Sequence, residues 1–397
     1  MKNKHIVFLL GMAGFIVMAD NWVVSPILPA ISNNLSISPD KAGLLIAAYM
    51  IPFGIFQLVF GPLADRFGKK LIIAFSIVVF TITTGLCAFG TGLVDLGAYR
   101  ALTGVFAASV MPISLALIAD IFPLEERQTA IGTFMGISFL GQGLSMATGG
   151  IISYFLNWRG VFAVYAVLSL IPAIFLLKNY KSIPSSQNRE SKFIAPYAQL
   201  LGKPESLLTY LLVVLEGFFI VGSFSYIGTY ISQIHGFNYL AIGLIMTAFG
   251  LMTVVGGRLG GKLTHRIGAR KLLTLGLFLA VISDAGIYLA GKNPAALVAS
   301  VGLLGLGFIF THSTLLTRAT EFAQKSRGAA MSLVAFCFMG GGGVGTAMGA
   351  GIIRTHGLEN LFLAYCLALF GTLILSFALI RGQVVPMNQA QAMTQAK

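Results

Sequence analysis

The chain has 397 residues, of which 56% are hydrophobic and only 10% charged, with a mean hydropathy of +0.87. A soluble domain of this length needs far more charge to cover its surface, so a water-soluble fold is excluded. The formal net charge of +13 does not indicate a nucleic-acid surface, because the cations are sorted between the two ends of successive apolar runs.

Those runs of about 20 residues match a hydrocarbon core roughly 30 Å thick at about 1.5 Å per helical residue. They are too long for bilayer-spanning strands, and helices alone satisfy their backbone groups internally. Twelve helices are predicted, over 6–30, 42–64, 71–91, 93–118, 128–154, 158–177, 206–232, 240–261, 272–291, 294–317, 327–353 and 360–380. Almost all loop cations, among them Arg66, Lys70, Lys181, Arg266 and Arg270, then fall on one side. Outside remain only Lys41, Arg159, Lys292 and Arg354. This bias predicts a multi-pass protein of the cell (inner or plasma) membrane with both termini cytoplasmic.

In chain order, the first run carries Asp20, Pro26 and Pro29 and is too long for a signal peptide, so it is expected to remain. Asp20 lies about fourteen residues from the inner end of that run, roughly 21 Å deep. Arg100, about six residues inside the outer end of the fourth run, lies roughly 9 Å deep from the other side. In a core about 30 Å thick these depths coincide, so the two are candidates for a pair. A mid-helix aspartate costs about 2.5–3.5 kcal/mol on the insertion scale and calls for a reason. Burial favours its neutral form and a guanidinium its charged form, so such a group can exchange a proton as its surroundings change.

The second and third runs are joined by Gly61-Pro62-Leu63-Ala64-Asp65-Arg66-Phe67-Gly68-Lys69-Lys70, a charged segment in which the glycines are expected to turn the chain. The fifth and eleventh runs are rich in small residues, including Gly141, Gly150, Gly341 and Gly349, which let helices approach closely in lipid. Residues 179–205 are polar and read as a cytoplasmic link. Phe193, Ile194, Tyr197, Leu200 and Leu201 would form the apolar face of a short interfacial helix within it. Glu216 in the seventh run lies near the midplane, placed to face the first half across a cavity. Asp284 in the ninth run is expected to make a local hydrogen bond. His312 in the tenth titrates in a useful range but is placed nearer the cytoplasmic mouth. The tail after Arg381 is polar and expected to be disordered. Trp22, Tyr49, Phe53, Gln57, Phe224, Tyr226, Tyr230 and Met246 are candidates for the cavity wall. Cys87, Cys337 and Cys366 lack metal-ligand spacing, and neither a metal nor another cofactor is expected. No nucleotide-binding glycine loop is present.

The chain repeats itself at an offset of 200 residues. Gly43, Gly61, Arg66 and Gly68 recur as Gly243, Gly261, Arg266 and Gly268, and Arg127, Gly141, Gly143 and Gly149 as Arg327, Gly341, Gly343 and Gly349. Two parallel six-helix halves follow, 1–178 and 206–381, with the tail at 382–397.

The segment Gly61–Lys70 resembles motif A of the major facilitator superfamily, and Leu96–Gly104 resembles its motif B. The stretch Asp20–Pro29 is similar to helix 1 of the twelve-helix drug:proton antiporters. The resemblance implies an all-α polytopic membrane protein of the major facilitator fold, acting as a monomer. It would export small hydrophobic or cationic organic molecules by alternating access, with protons as coupling ion, and would not be an enzyme. It also implies that Asp65 meets the amino end of the eleventh helix and that Asp120 pairs with Lys70, together holding a cytoplasmic gate. Gly261, Arg266, Gly268 and Arg270 form a second-half version in which His265 replaces the aspartate. Asp20, Arg100 and Glu216 would couple protons to substrate. One departure is the fifth helix, where Ser145-Met146 stand in place of the antiporters' Gly-Pro. A carrier of one metabolite (sugar, purine or siderophore) on the same fold is the alternative, and a non-transporting membrane sensor a remote one.

Overall fold

The computed structural model describes residues 2–181, 183, 195–321 and 327–379. Twelve of its helices are long and apolar enough to cross a membrane. They are α1 (Lys2–Trp22, continued as Val24–Leu35), α2 (Pro39–Phe67), α3 (Lys69–Cys87), α4 (Leu93–Ala107, continued as Val110–Ile121), α5 (Leu124–Phe155) and α6 (Trp158–Lys178). The second set is α7 (Pro204–Glu216, then Gly217–Val221 and Gly222–His235), α8 (Tyr239–Ile267), α9 (Ala269–Ala290), α10 (Pro294–Glu321), α11 (Arg327–His356) and α12 (Leu358–Leu379). Most helices run several residues past the spans expected from hydropathy, because their polar ends continue as helix beyond the apolar core.

The interruptions of α1 and α4 each fall one turn before a proline: Pro26 cannot donate to the carbonyl at Trp22, and Pro112 likewise fails Ala108. Pro52 and Pro62 in α2 and Pro172 in α6, by contrast, lie within unbroken helices. In α7 the break is a single π-helical turn, Gly217–Val221, directly after Glu216. Such turns gather at functional positions.

The halves have the same packing. α1 lies on α5, α2 on α4 and α3 on α6; correspondingly α7 lies on α11, α8 on α10 and α9 on α12. Small residues make these contacts possible. Gly141 sits against the backbone of Phe15 and Gly341 against that of Val214, while Gly104 meets Tyr49 and Gly305 meets Phe249 in the same way.

Between the halves, α2 packs on α11, α5 on α8, and the second part of α1 on that of α7. We call the side carrying the α2–α3 and α8–α9 turns the basic face. The halves close on the side away from it, where Gly150 of α5 abuts Gly243 and Tyr239 of α8, and Ser25 of α1 bonds the carbonyls of Phe224 and Ser225. Toward the basic face α5 and α8 part: a Cβ added at Gly132, Gly136 or Gly261 would touch nothing within 4 Å.

Of the expected link, residue 182 and 184–194, with Phe193 and Ile194, lie outside the described residues, as does the tail after Leu379. A short helix, Ala195–Leu201, follows. Its Leu200 is buried and its Tyr197 hydroxyl donates to the Leu58 carbonyl of α2 at 3.1 Å, so the helix is docked on the bundle.

Candidate functional site

Two acid–base pairs lie within the bundle, one in each half. In the first, Asp20 Oδ2 accepts from Arg100 Nη1 at 2.7 Å, and Nη2 reaches the Asp20 carbonyl at 3.4 Å. The pairing follows from the α1 break just beyond Asp20, which leaves that carbonyl within reach. Arg100 lies over the Tyr49 ring at 4.2 Å, a cation–π contact out of water. Both charged side chains are sealed, at 0% and 1% exposure. Asp20 Oδ1 and Arg100 Nε meet no hydrogen-bond partner among the described residues.

In the second pair, Glu216 Oε2 lies 3.2 Å from His312 Nδ1. Glu216 is fully buried and His312 is 21% exposed, so the imidazole is the accessible member of the pair. Glu216 was expected to face the first half. It is turned instead onto α10 of its own half, at the last residue before the π turn. His312, expected nearer the mouth, is its partner there.

Aromatic rings join the two pairs. Trp22, two residues after Asp20, sits against Phe224, Phe249 and Phe308 at centroid distances of 5.2, 5.6 and 5.9 Å. Phe308 stacks on His312 at 5.2 Å, and Phe338 lies 4.6 Å from the same imidazole. A small cleft between the halves is lined by Asn21, Trp22 and Ser25 with Val221, Phe224 and Ser225, among others. Of the other expected wall residues, Tyr226 and Tyr230 are tied into their own half by hydrogen bonds to the carbonyls of Thr346 and Ile287. They are structural because their hydroxyls are already spent on backbone. Phe53 stacks on Tyr49 beneath Arg100, Gln57 is buried with Oε1 unpartnered among the described residues, and Met246 is fully buried. Asp284 Oδ1 accepts from Ser223 at 2.6 Å, away from both pairs.

At the basic face, α2 stays helical through Asp65 and Arg66 to Phe67, and the reversal falls on Gly68 alone, at φ 101°. Gly268 repeats it at φ 85°. Both conformations are open to glycine and strained for other residues. Gly61 and Gly261, expected in the turns, lie inside helices with open space beside them. The ion pair with Asp120 is made by Lys69, at 2.6 Å. Lys70 was expected there, but one residue further is about 100° around α3, and its Nζ lies over the Tyr180 ring at 5.0 Å. Asp65 is 43% exposed, 4.0 Å from Lys69. Residues 322–326 and the Arg327 side chain, at the amino end of α11, lie outside the described residues. In the second copy Arg270 donates to the Phe377 carbonyl at 2.9 Å, within its own half, while Arg266 is exposed. Substituting Lys69 with Met is expected to cost about 1–2 kcal/mol of stability, and Lys70 with Met less, in thermal unfolding of the purified protein.

Among the described residues no group of three or more His, Cys, Asp or Glu side chains is placed to hold a metal. The arrangement suits proton exchange and ligand binding: Asp20 and Glu216 are buried, each with one oxygen bonded and the other without a partner among the described residues, beside an aromatic cleft shared by the halves.

The same architecture recurs in known proteins. A likeness to the solved nucleoside transporter NupG covers 96% of this chain and 100% of that one, at a TM-score of 0.78 and 14% identity. Multidrug resistance protein 2 of Bacillus subtilis (strain 168) is 26% identical over 340 residues, 82% of this chain and 83% of its own. A probable sugar efflux transporter of Helicobacter pylori (strain J99 / ATCC 700824) is 26% identical over 380 residues, 94% and 95% of the two chains. The sequence profile of the Major Facilitator Superfamily matches residues 10–346 and 211–394. Twelve helices in two like-packed halves and a match across nearly the whole length place this chain in that superfamily of membrane transporters.

Proposed function

We propose that the protein is a proton-coupled exporter of small hydrophobic or cationic organic molecules, with the basic face cytoplasmic. The observation that carries this reading is the Glu216–His312 pair, set at 3.2 Å behind an aromatic wall of Phe308 and Phe338. Aromatic faces and a carboxylate together attract lipophilic cations. A proton arriving at Glu216 removes the charge that holds such a cation and so favours its release. Asp20 and Arg100, closed off in the other half, supply a second group that can gain and lose a proton between states. Asp65, Lys69, Lys70 and Asp120 would hold the basic face shut when the cavity opens to the other side, with Arg270 as their counterpart. We take the working unit to be a monomer.

The test is accumulation of lipophilic cations and neutral drugs in cells expressing wild type or Glu216→Gln, with and without a protonophore. Wild type should lower the accumulation of cations, and the protonophore should abolish the difference. Glu216→Gln should raise KM for cations about tenfold or more and leave neutral compounds less affected. No difference for any compound, with the protein present in the membrane, would overturn the reading.

A second reading, export of one polar metabolite such as a sugar, draws on the relative named for sugar efflux, which aligns over 94% of the chain. The buried amide atoms Asn21 Oδ1, Gln57 Oε1 and Gln142 Nε2, unpartnered among the described residues, offer hydrogen bonds to such a substrate. Sharp competition by one metabolite against a flat drug response would favour it.

A further inference from the structure

α8 is 29 residues long, or about 43 Å, against a hydrocarbon core of roughly 30 Å. Its packed surface is clear. Gly243 and Gly250 meet α5, and Gly256 lies against Ile309 and Phe310 of α10. On the remaining side Leu244, Leu251 and Val255 are exposed, at 55%, 59% and 43%. At about 100° per residue, Arg258, Lys262 and Arg266 fall on that same quarter of the helix. All three are exposed, and they make no hydrogen bond or ion pair among the described residues.

Their depth is unusual for unpaired cations. Arg266 is next to the last residue of α8, but Arg258 lies nine residues before Ile267, about 13 Å along the axis. With the helix centred in the bilayer, its Cα stands roughly 7 Å inside the hydrocarbon. A cation there reaches water only by extending along the helix toward the headgroups, its stem covering apolar surface. The corresponding positions of the first half are Leu58, Pro62 and Arg66, so the stripe belongs to one half only. A general preference for cations on this face does not account for such a one-sided ladder.

We infer that Arg258, Lys262 and Arg266 form a docking surface for an anionic phospholipid in the leaflet at the basic face. Its acyl chains would lie along Leu251 and Val255, and its phosphate would sit among the three cations. Charge complementarity selects this occupant: the surface faces lipid, is positively charged throughout, and begins below headgroup level. The lipid would pack beside the open α5–α8 seam. The inference does not depend on what the transporter carries.

The test uses the full-length protein in nanodiscs of phosphatidylcholine and phosphatidylglycerol, followed by native mass spectrometry to count retained lipid under rising detergent. Each cation near an anionic leaflet is worth about 1 kcal/mol, so R258Q/K262Q should bind phosphatidylglycerol roughly 30-fold more weakly than wild type. R258K/K262R should retain it, and K41Q, which removes a cation on the opposite face, should match wild type. Equal retention by wild type and R258Q/K262Q would overturn the inference. So would an equal loss in K41Q, or preference of wild type for phosphatidylcholine.

Discussion

Asp20→Asn is expected to abolish uphill transport while the protein still inserts and binds its substrate. Asn can still accept the hydrogen bond that Arg100 Nη1 now gives to Asp20 Oδ2 at 2.7 Å, so local geometry is largely kept. What disappears is the exchangeable proton. One proton driven by about 100 mV supplies about 2.3 kcal/mol, enough to hold a concentration ratio of roughly 40–50-fold. The variant should hold none, and counterflow of labelled against unlabelled substrate should persist. The substitution also leaves the guanidinium uncompensated at 1% exposure, and breaking a buried pair costs about 3–5 kcal/mol. The double variant Asp20→Asn/Arg100→Gln separates the two effects. It restores neutrality and should recover much of the stability, measured by thermal unfolding in detergent, without recovering uphill transport. Normal accumulation ratios in either variant would make the pair a structural one.

That pair is legible in the sequence, because helical rise turns sequence position into depth and two opposite charges at one depth in hydrocarbon seek each other. The same arithmetic singles out Glu216 and His312 but does not pair them. Depth alone does not say which way a side chain points around its helix, and α10 continues as helix to Glu321, past the apolar run that ends at 317. Hydropathy locates the apolar core and says little about polar turns that stay helical beyond it. The π turn after Glu216 has no sequence marker beyond Gly217. Lys69 and Lys70 illustrate a further limit: motif spacing fixes the turn at Gly68 but not the rotation of the helix that follows, and a single residue decides which lysine meets Asp120. The breaks in α1 and α4 lie beside Pro26 and Pro112, yet Pro52, Pro62 and Pro172 leave their helices whole. The like packing of the halves is written in glycines that recur 200 residues apart.

Three glycines of α5 separate folding from cycling. A Cβ at Gly141 would collide with the backbone of Phe15, inside one half, so Gly141→Leu should impair folding itself. At Gly132 it would touch nothing within 4 Å, so Gly132→Leu should be tolerated. At Gly150 it would lie 2.7 Å from the Tyr239 carbonyl oxygen and 2.8 Å from the Gly243 Cα, across the seam between the halves. Those are backbone atoms, so no side chain can swing aside. Gly150→Leu should therefore leave each half folded and disfavour the arrangement in which the halves meet away from the basic face. Overpacking costs about 1–3 kcal/mol, which multiplies the ratio of the opposite state by roughly 5–150-fold. Spin labels at V94C and L289C would report it, since both positions are exposed on that side, one in each half. Their distance distribution should move to longer values in Gly150→Leu, with transport reduced at least tenfold and substrate binding kept. Unchanged distances alongside lost transport would mean that the Gly150–Gly243 contact does not separate during the cycle. The rocking of the halves would then have to hinge elsewhere, at the Trp22 cluster or along α2 and α11.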